Sequence, residues 1–206
     1  MCEPTTILMR DRPAVRVQIG ADPDVADTLV DIVNAAYGKR RVNASSMRHR
    51  LLARTNRVLH VAFDESGTIL GCCSSTLFVP WCGPGCGHWG LLAVDPTHQG
   101  RGVASALVAA AEKRLAAAGM SSAQIEYSFR EGEELSERLY TWYEGADGLR
   151  YSGPRRKKSG FRVCRKHLTR AALDPEGKMP VPTMGGLRLF GTWLFAVLRF
   201  VFCGQY

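Results

Sequence analysis

Acidic side chains almost vanish from the last quarter of this 206-residue chain. From Leu149 onward there are 12 Lys and Arg against 2 Asp and Glu, whereas through Gly148 the two signs nearly cancel at 15 against 17. The net charge of +8 therefore comes from that last part. A second stretch, 39–57, holds seven basic residues and no acid. Charge placed so locally bears on partners and not on fold. A disulfide framework is also lacking, because the seven cysteines (2, 72, 73, 82, 86, 164 and 203) are odd in number and irregularly spaced. Cys72 and Cys73 fall in a strand pattern and read as small buried hydrophobes. Cys82-x-x-x-Cys86-x-His88 offers three ligands without a fourth, around a tight Gly-Pro-Gly loop. It excludes a structural zinc site, and no metal is expected. The N-terminal residues lack a basic segment followed by a long apolar core, so no secretory leader is expected. A reducing, cytoplasmic location follows as the expectation. No internal repeat is present.

What is there begins with a continuous run, Gly90 to Ser105. An apolar strand, Leu91 to Val94, meets the turn Asp95-Pro96, then a glycine-bearing loop, then an alanine-rich helix over 103–118. Strand, loop and helix in that order aim unpaired backbone N–H groups at one point, a place suited to phosphate. Glycines at 100 and 102 remove the Cβ atoms that would block a close approach. A dinucleotide fingerprint would need a third glycine where Ser105 stands, so that reading is weak. Gln99-x-x-Gly102-x-Ala104 resembles the (Gln/Arg)-x-x-Gly-x-(Gly/Ala) pyrophosphate signature of the GCN5-related N-acetyltransferases (GNAT), and Leu92-Ala93-Val94-Asp95-Pro96 is similar to that family's fourth strand.

Hydrophobic periodicity extends the resemblance over 14–170, which we take as one domain. A strand over 15–19 leads, through the turn at Asp22-Pro23, to a helix ending near Tyr37-Gly38. A second helix is expected around 46–54, then a hairpin of strands 58–63 and 68–78. After the helix 103–118 come a strand at 122–128, a helix at 131–143, and two final strands at Arg150-Tyr151 and 161–168. The order β-α-α-β-β-β-α-β-α-β-β implies an α/β fold. Its GNAT-like form has a central, mostly antiparallel mixed sheet, splayed fourth and fifth strands, and flanking helices. Residues 171–186, rich in Pro and Gly, read as a linker, and 187–206 as a C-terminal apolar helix.

The resemblance implies acetyl-CoA as co-substrate, held by Leu92, Ala93, Val94, Gln99, Gly100, Arg101, Gly102, Val103, Ala104 and Ser105. It implies a backbone N–H at Val94 or its neighbour that polarises the thioester carbonyl. Tyr143 takes the place of the family's general acid, although one extra residue precedes Gly148 and Leu149 stands where an aromatic is usual. Tyr140, one turn earlier, is the fallback. Glu126 matches a strand-five glutamate that some members use as base, and a structural or solvent-facing role for it is the alternative. Ser136 occupies the place of an asparagine near the cofactor, where its hydroxyl could donate a hydrogen bond.

The implied activity is transfer of an acetyl group from acetyl-CoA to a primary amine, by direct attack in a ternary complex. Lys39, Arg40, Arg41, Arg48 and Arg50, with Arg155 to Lys158, match the two borders of the acceptor opening in that fold. A small anionic amine is therefore the expected acceptor, with a protein N-terminus or lysine as the second reading. A non-catalytic acyl-CoA-binding module tethered by its tail is a third. Nucleic acid is not an expected partner, since no recognition motif or interleaved aromatics accompany the basic residues. The segment 187–203 is apolar but carries two arginines, which is marginal for a membrane span. Peripheral membrane contact and docking on a protein surface are the two expectations for it.

Overall fold

The computed structural model describes residues 15–52, 54–153 and 160–169. The linker, the apolar C-terminal segment and the basic residues Arg155 to Lys158 lie outside them. Six strands form one sheet in sequential order: β1 (Arg16–Ile19), β2 (Arg57–Phe63), β3 (Ile69–Thr76), β4 (Cys86–Val94), β5 (Ser122–Ser128) and β6 (Phe161–His167). Each neighbouring pair is antiparallel except β4 and β5, which are parallel. A parallel pair needs a crossover, and α3 (Val103–Ala117) supplies it. The remaining helices are α1 (Ala26–Tyr37), α2 (Ala44–Leu51) and α4 (Glu134–Glu144).

Two cores sandwich the sheet. Ala26, Leu29, Ile32 and Val33 of α1 and Met47 and Leu51 of α2 pack with Leu59, Val61, Phe63, Cys72 and Ala93. Alternation along the strands sends Ala62, Cys73, Ala123, Ile125 and Tyr127 into the other core, where Val103, Leu107, Val108, Ala111 and Leu115 of α3 meet them. Cys72 and Cys73 are wholly buried on opposite faces and carry free thiols, as small hydrophobes in a strand would.

Four boundaries depart from the sequence reading. Helix α2 starts at Ala44 because Asn43 and Ser46 form a reciprocal capping box, which extends the helix past the expected Ser46. Strand β4 runs back to Cys86, its pattern hidden by Gly87, Gly90 and a bulge. Helix α4 begins at Glu134, since Gly132 adopts φ +79° and turns the chain just before it. The expected strand at Arg150-Tyr151 is absent, because Arg150 takes φ +60°, and a single bridge between Ser152 and Arg165 stands in its place.

A polar knot lies within the α3-side core. Arg114 of α3 donates to the Ser75 carbonyl (3.1 Å), the Ser75 hydroxyl (3.0 Å) and the Thr55 carbonyl (2.9 Å). The Ser75 hydroxyl, accepting from Arg114, also shares a hydrogen bond with His60 Nε2 at 2.8 Å. Burial, reinforced by the Arg114 charge, lowers His60 to about 4. An unfolded histidine titrates near 6.5, so the unfolded chain binds the extra proton first and stability falls as pH drops from about 6.5 to 4. A loss of up to about 3 kcal/mol is expected over that window. Thermal unfolding against pH checks it: His60→Gln should flatten the slope, and equal slopes would remove His60 from the account.

Candidate active site

The β4–β5 ladder has three pairs, Cys86 with Ser122, Gly87 with Ala123 and His88 with Gln124. Beyond them the strands separate, so β4 backbone groups that face β5 from Trp89 onward have no strand partner. On its other edge β4 stays joined to β3 but carries a bulge. Cys72 pairs with Ala93 and Ser74 with Gly90, leaving Leu91 and Leu92 opposite Cys73 alone. Leu91 takes φ +50°, an uncommon conformation for a branched residue. Side chains of β3 cover the carbonyls on that edge, with the Ser74 hydroxyl donating to Gly90 O at 3.0 Å and Cys72 Sγ lying 4.0 Å from Leu91 O. Leu91 and Leu92 are half-buried in the middle of the sheet, Leu91 packing on the α1 and α2 side and Leu92 on the α3 side.

At the wide end of the gap, Asp95 caps a short 3-10 turn, and Gln99 Nε2 donates to Val94 O at 3.3 Å. Gly100 (φ +74°) and Gly102 (φ +87°) both need the left-handed region, and a Cβ on Gly100 would meet nothing within 4 Å. Helix α3 opens on Gly102 with no side-chain cap, and its first internal bond is Ala106 N to Gly102 O at 3.0 Å. The N–H groups of Val103, Ala104 and Ser105 therefore face outward, at the positive end of a 15-residue helix. Val103 is buried and anchors the turn, while Arg101 and Ser105 are exposed. The loop presents these N–H groups together, and a separated pair of strands continues from it.

Tyr143, near the end of α4, packs against aromatic side chains of β4 and β5. Its ring lies 4.8 Å from Tyr127, 4.9 Å from Trp142 and 6.0 Å from Trp89. The neighbouring phenols are engaged: Tyr127 donates to Glu144 and Tyr151 to Glu112, the latter also accepting from Trp89 Nε1. No hydrogen bond to a described residue engages the Tyr143 hydroxyl, and no buried polar side-chain atom among them is unsatisfied. Burial, with smaller contributions from Tyr37 and Cys73, pushes Tyr143 well above the usual tyrosine value. It therefore holds its proton throughout the neutral and mildly alkaline range.

A family model, the Acetyltransferase (GNAT) family, matches residues 26–141, more than half of the chain. The chain belongs to the GNAT family. Solved structures share its fold at low identity. The GNAT domain of S. lividans PAT is 19% identical over 75% of this chain and 90% of that one, with a TM-score of 0.58. The ribosomal-protein-S18-alanine N-acetyltransferase of Escherichia coli is 12% identical over 80% and 98%, with a TM-score of 0.55. The PaiA N-acetyltransferase of Thermoplasma acidophilum, solved with coenzyme A, is 11% identical over 75% and 99%, with a TM-score of 0.53. No curated protein matches the chain.

The remaining site residues of this GNAT chain are placed as follows. Glu126 is half-buried on the face of β5 opposite Tyr127, and accepts from Gln124 at 3.4 Å. Arg165 braces that face by donating to Gln124 Oε1 (2.8 Å) and to the Cys82 carbonyl (2.8 Å). The two residues expected to handle protons thus lie on opposite sides of the sheet. The Ser136 hydroxyl accepts from Arg130 N (3.1 Å) and donates to Glu133 (2.6 Å), bonds that shape the turn before α4. Tyr140, the fallback acid, is 40% exposed and stacks on Phe129 and the Arg162 guanidinium, away from the aromatic cluster around Tyr143. Sequence reasoning overlooked Trp89, Tyr127 and the Leu91 bulge. A tryptophan and two glycines inside an apolar run were the available signal for the bulge. Among the described residues no group of three or more His, Cys, Asp or Glu could hold a metal, and no helix is long and apolar enough to cross a membrane.

Proposed function

We propose that this protein is an acetyl-CoA-dependent N-acetyltransferase acting on a primary amine by direct attack in a ternary complex. The observation that carries the reading is the union of an uncapped Gly102 helix start with a separated pair of strands, β4 and β5, against whose Trp89 and Tyr127 the buried Tyr143 ring packs. The residues fit the co-substrate: Gln99 to Ser105 present glycines and free N–H groups to a diphosphate, and Leu92 to Val94 present unpaired strand edge to an amide-bearing arm. When bound, acetyl-CoA supplies a thioester whose acetyl carbon an amine can attack. Backbone N–H groups of β4 that face the gap, at Val94 or a neighbouring residue, stabilise negative charge on the carbonyl oxygen, and the bulge aims them. Tyr143 Oη holds the proton that the departing sulfur requires. Glu126 accepts a proton from the incoming ammonium, directly or through water.

A peptide N-terminus is the alternative acceptor, favoured by the position of Glu126 on β5 beside the ladder's end. Acetylation of an amine panel and a peptide panel separates the two. Removing the acid tests the mechanism: Tyr143→Phe keeps the ring packing and is expected to lower kcat by about 100-fold, in the usual range for a positioned acid. The raised Tyr143 value adds that the wild-type rate does not decline through pH 9, where an ordinary tyrosine near 10 begins to ionise. A variant with undiminished kcat would leave the departing sulfur to solvent.

A further inference from the structure

Strand β4 finishes beside the Gln99–Ser105 loop, and the opposite end of the sheet, where it begins, carries large apolar side chains in solvent. Strand register sets two loops side by side there. Arg57 opens β2 and pairs with Thr76, which closes β3, so residues 52–56 and 77–85 are neighbours. Asn56 joins them, donating to Phe78 O (3.1 Å) and accepting from Phe78 N (2.8 Å), while its carbonyl accepts from Leu77 N (2.8 Å). Leu52 is 55% exposed on the first loop, and Phe78 and Trp81 are 68% and 59% exposed on the second. The backbone beneath them is held in place. Arg114 donates to the Thr55 carbonyl (2.9 Å), Arg165 to the Cys82 carbonyl (2.8 Å), and Cys82 N to Val79 O (3.1 Å). Apolar exposure gathered in this way on fixed loops marks a surface of contact.

Charge decides what meets it. Neither loop contains an acid, and the exposed Arg54 guanidinium lies 2.5 Å from His49 Nε2 and pairs with no carboxylate among the described residues. Asp22 and Asp24 at this end belong to the turn after the edge strand β1. Tryptophan and phenylalanine beside an unneutralised arginine match the headgroup level of a bilayer, where an indole sits among lipid phosphates. The chain also leaves the sheet here. Leu168 N donates to Ser121 O (2.9 Å), and Ser121 N to the carbonyl of Gly85 (2.8 Å), which ends the Trp81 loop. The sequence that follows includes the apolar run 187–203. We infer that this end of the domain docks on a lipid surface with anionic headgroups, Leu52, Phe78 and Trp81 entering the interface and Arg54 meeting the headgroup charge. Nine residues of β4 then hold the Gln99–Ser105 loop roughly 25–30 Å from the lipid, open to a soluble co-substrate. The inference is independent of the acetyl-transfer reading.

Flotation of the full-length protein with two kinds of vesicle tests it: phosphatidylcholine alone, and phosphatidylcholine mixed with phosphatidylserine. Binding is expected on the mixed vesicles and should weaken as salt is added. The double variant Phe78→Ala with Trp81→Ala should lower the partition coefficient by about 10-fold or more, through the apolar area withdrawn from the interface. Arg54→Gln should lower it by about fivefold, the effect of one basic side chain near an anionic surface. Leu135→Ala is the control: that side chain is 60% exposed, but on α4, which follows the other end of β5, so binding should not change. Melting temperatures of all these variants should match the wild type, because the side chains are exposed. Phe78→Trp should raise binding, a gain that a damaged fold cannot produce. Wild-type protein that stays off the mixed vesicles overturns the inference. Binding that the double variant leaves intact also overturns it, and assigns the lipid contact to another segment. Equal binding to both vesicle types removes the anionic headgroup. A wild type that sediments as a dimer while the double variant sediments as a monomer overturns the lipid surface in favour of a second copy of the chain.

Discussion

Replacing Gly102 by tryptophan is expected to weaken acetyl-CoA binding by at least about 100-fold. The N–H groups of Val103, Ala104 and Ser105 are each worth roughly 1.5–3 kcal/mol to a charged partner, and an indole at Gly102 would screen more than one of them. Gly102 has φ +87°, so any side chain there also carries backbone strain on the order of 1–2 kcal/mol. Gly102→Ala bears that strain with a methyl group alone and separates it from blockage. Calorimetric titration with acetyl-CoA, alongside the melting temperature of each variant, gives both numbers. Tryptophan binding that matches the wild type would move the cofactor away from this loop. Binding lost equally in alanine and tryptophan would assign the effect to helix initiation.

Loss of the Glu144 carboxylate is expected to cost about 3–5 kcal/mol of folding stability, the penalty for leaving a buried charge unpaired. Glu144 ends α4 and accepts from Arg162 Nε and Nη2, both at 2.6 Å, from Tyr127 at 2.5 Å and from Cys164 Sγ at 3.0 Å. Its side chain and that of Arg162 are 7% and 9% exposed. Burial alone would raise the carboxyl, yet the bonds from Arg162, Cys164 and Tyr127 hold it below its ordinary value. Glu144→Ala strands the guanidinium and frees Tyr127, which packs on Tyr143, so the loss should reach the active site. At about 2–4 °C per kcal/mol for a domain of this size, the melting temperature should fall by roughly 6–20 °C. The double change Glu144→Leu with Arg162→Met should recover much of the fall, because no charge is then left buried. A single variant that melts with the wild type would show that water already reaches the pair.

How much could be read in advance differs from element to element. Strand β5 and helix α3 were legible because each obeys one strong local rule: strict alternation from Ser122 to Ser128, and helical spacing of Val103, Leu107, Val108, Ala111 and Leu115 closed by Gly119. The glycine-bearing loop before α3 was legible because glycines at 100 and 102 are needed for backbone conformation. Strand β4 was half legible, since the bulge at Leu91 breaks the period on which a strand is recognised. Arg150 hid its left-handed conformation altogether, because arginine gives no local sign of φ +60°.

The amino-acid sequence by itself therefore determined the order of elements through α4, and Gln99 to Ala104 as a glycine-bearing helix start. These follow from hydrophobic period, glycine placement and capping, all of which act over a few residues. Tertiary structure alone decided which of two tyrosines on α4 is buried: Tyr143 is 9% exposed and Tyr140 40%. Tyr143 and Tyr140 lie three positions apart in similar surroundings of sequence. They differ because Trp89 and Tyr127, distant along the chain, enclose one ring while Phe129 and Arg162 hold the other at the surface. Tertiary structure likewise decided which arginine of α2 finds a carboxylate among the described residues. Arg48 and Arg50 are two residues apart on one short helix, yet the helical turn carries Arg48 to Asp27 at 3.2 Å and leaves Arg50 half-buried. Pairing of charges and burial of rings depend on what the fold brings within a few ångströms, and no local pattern encodes that distance.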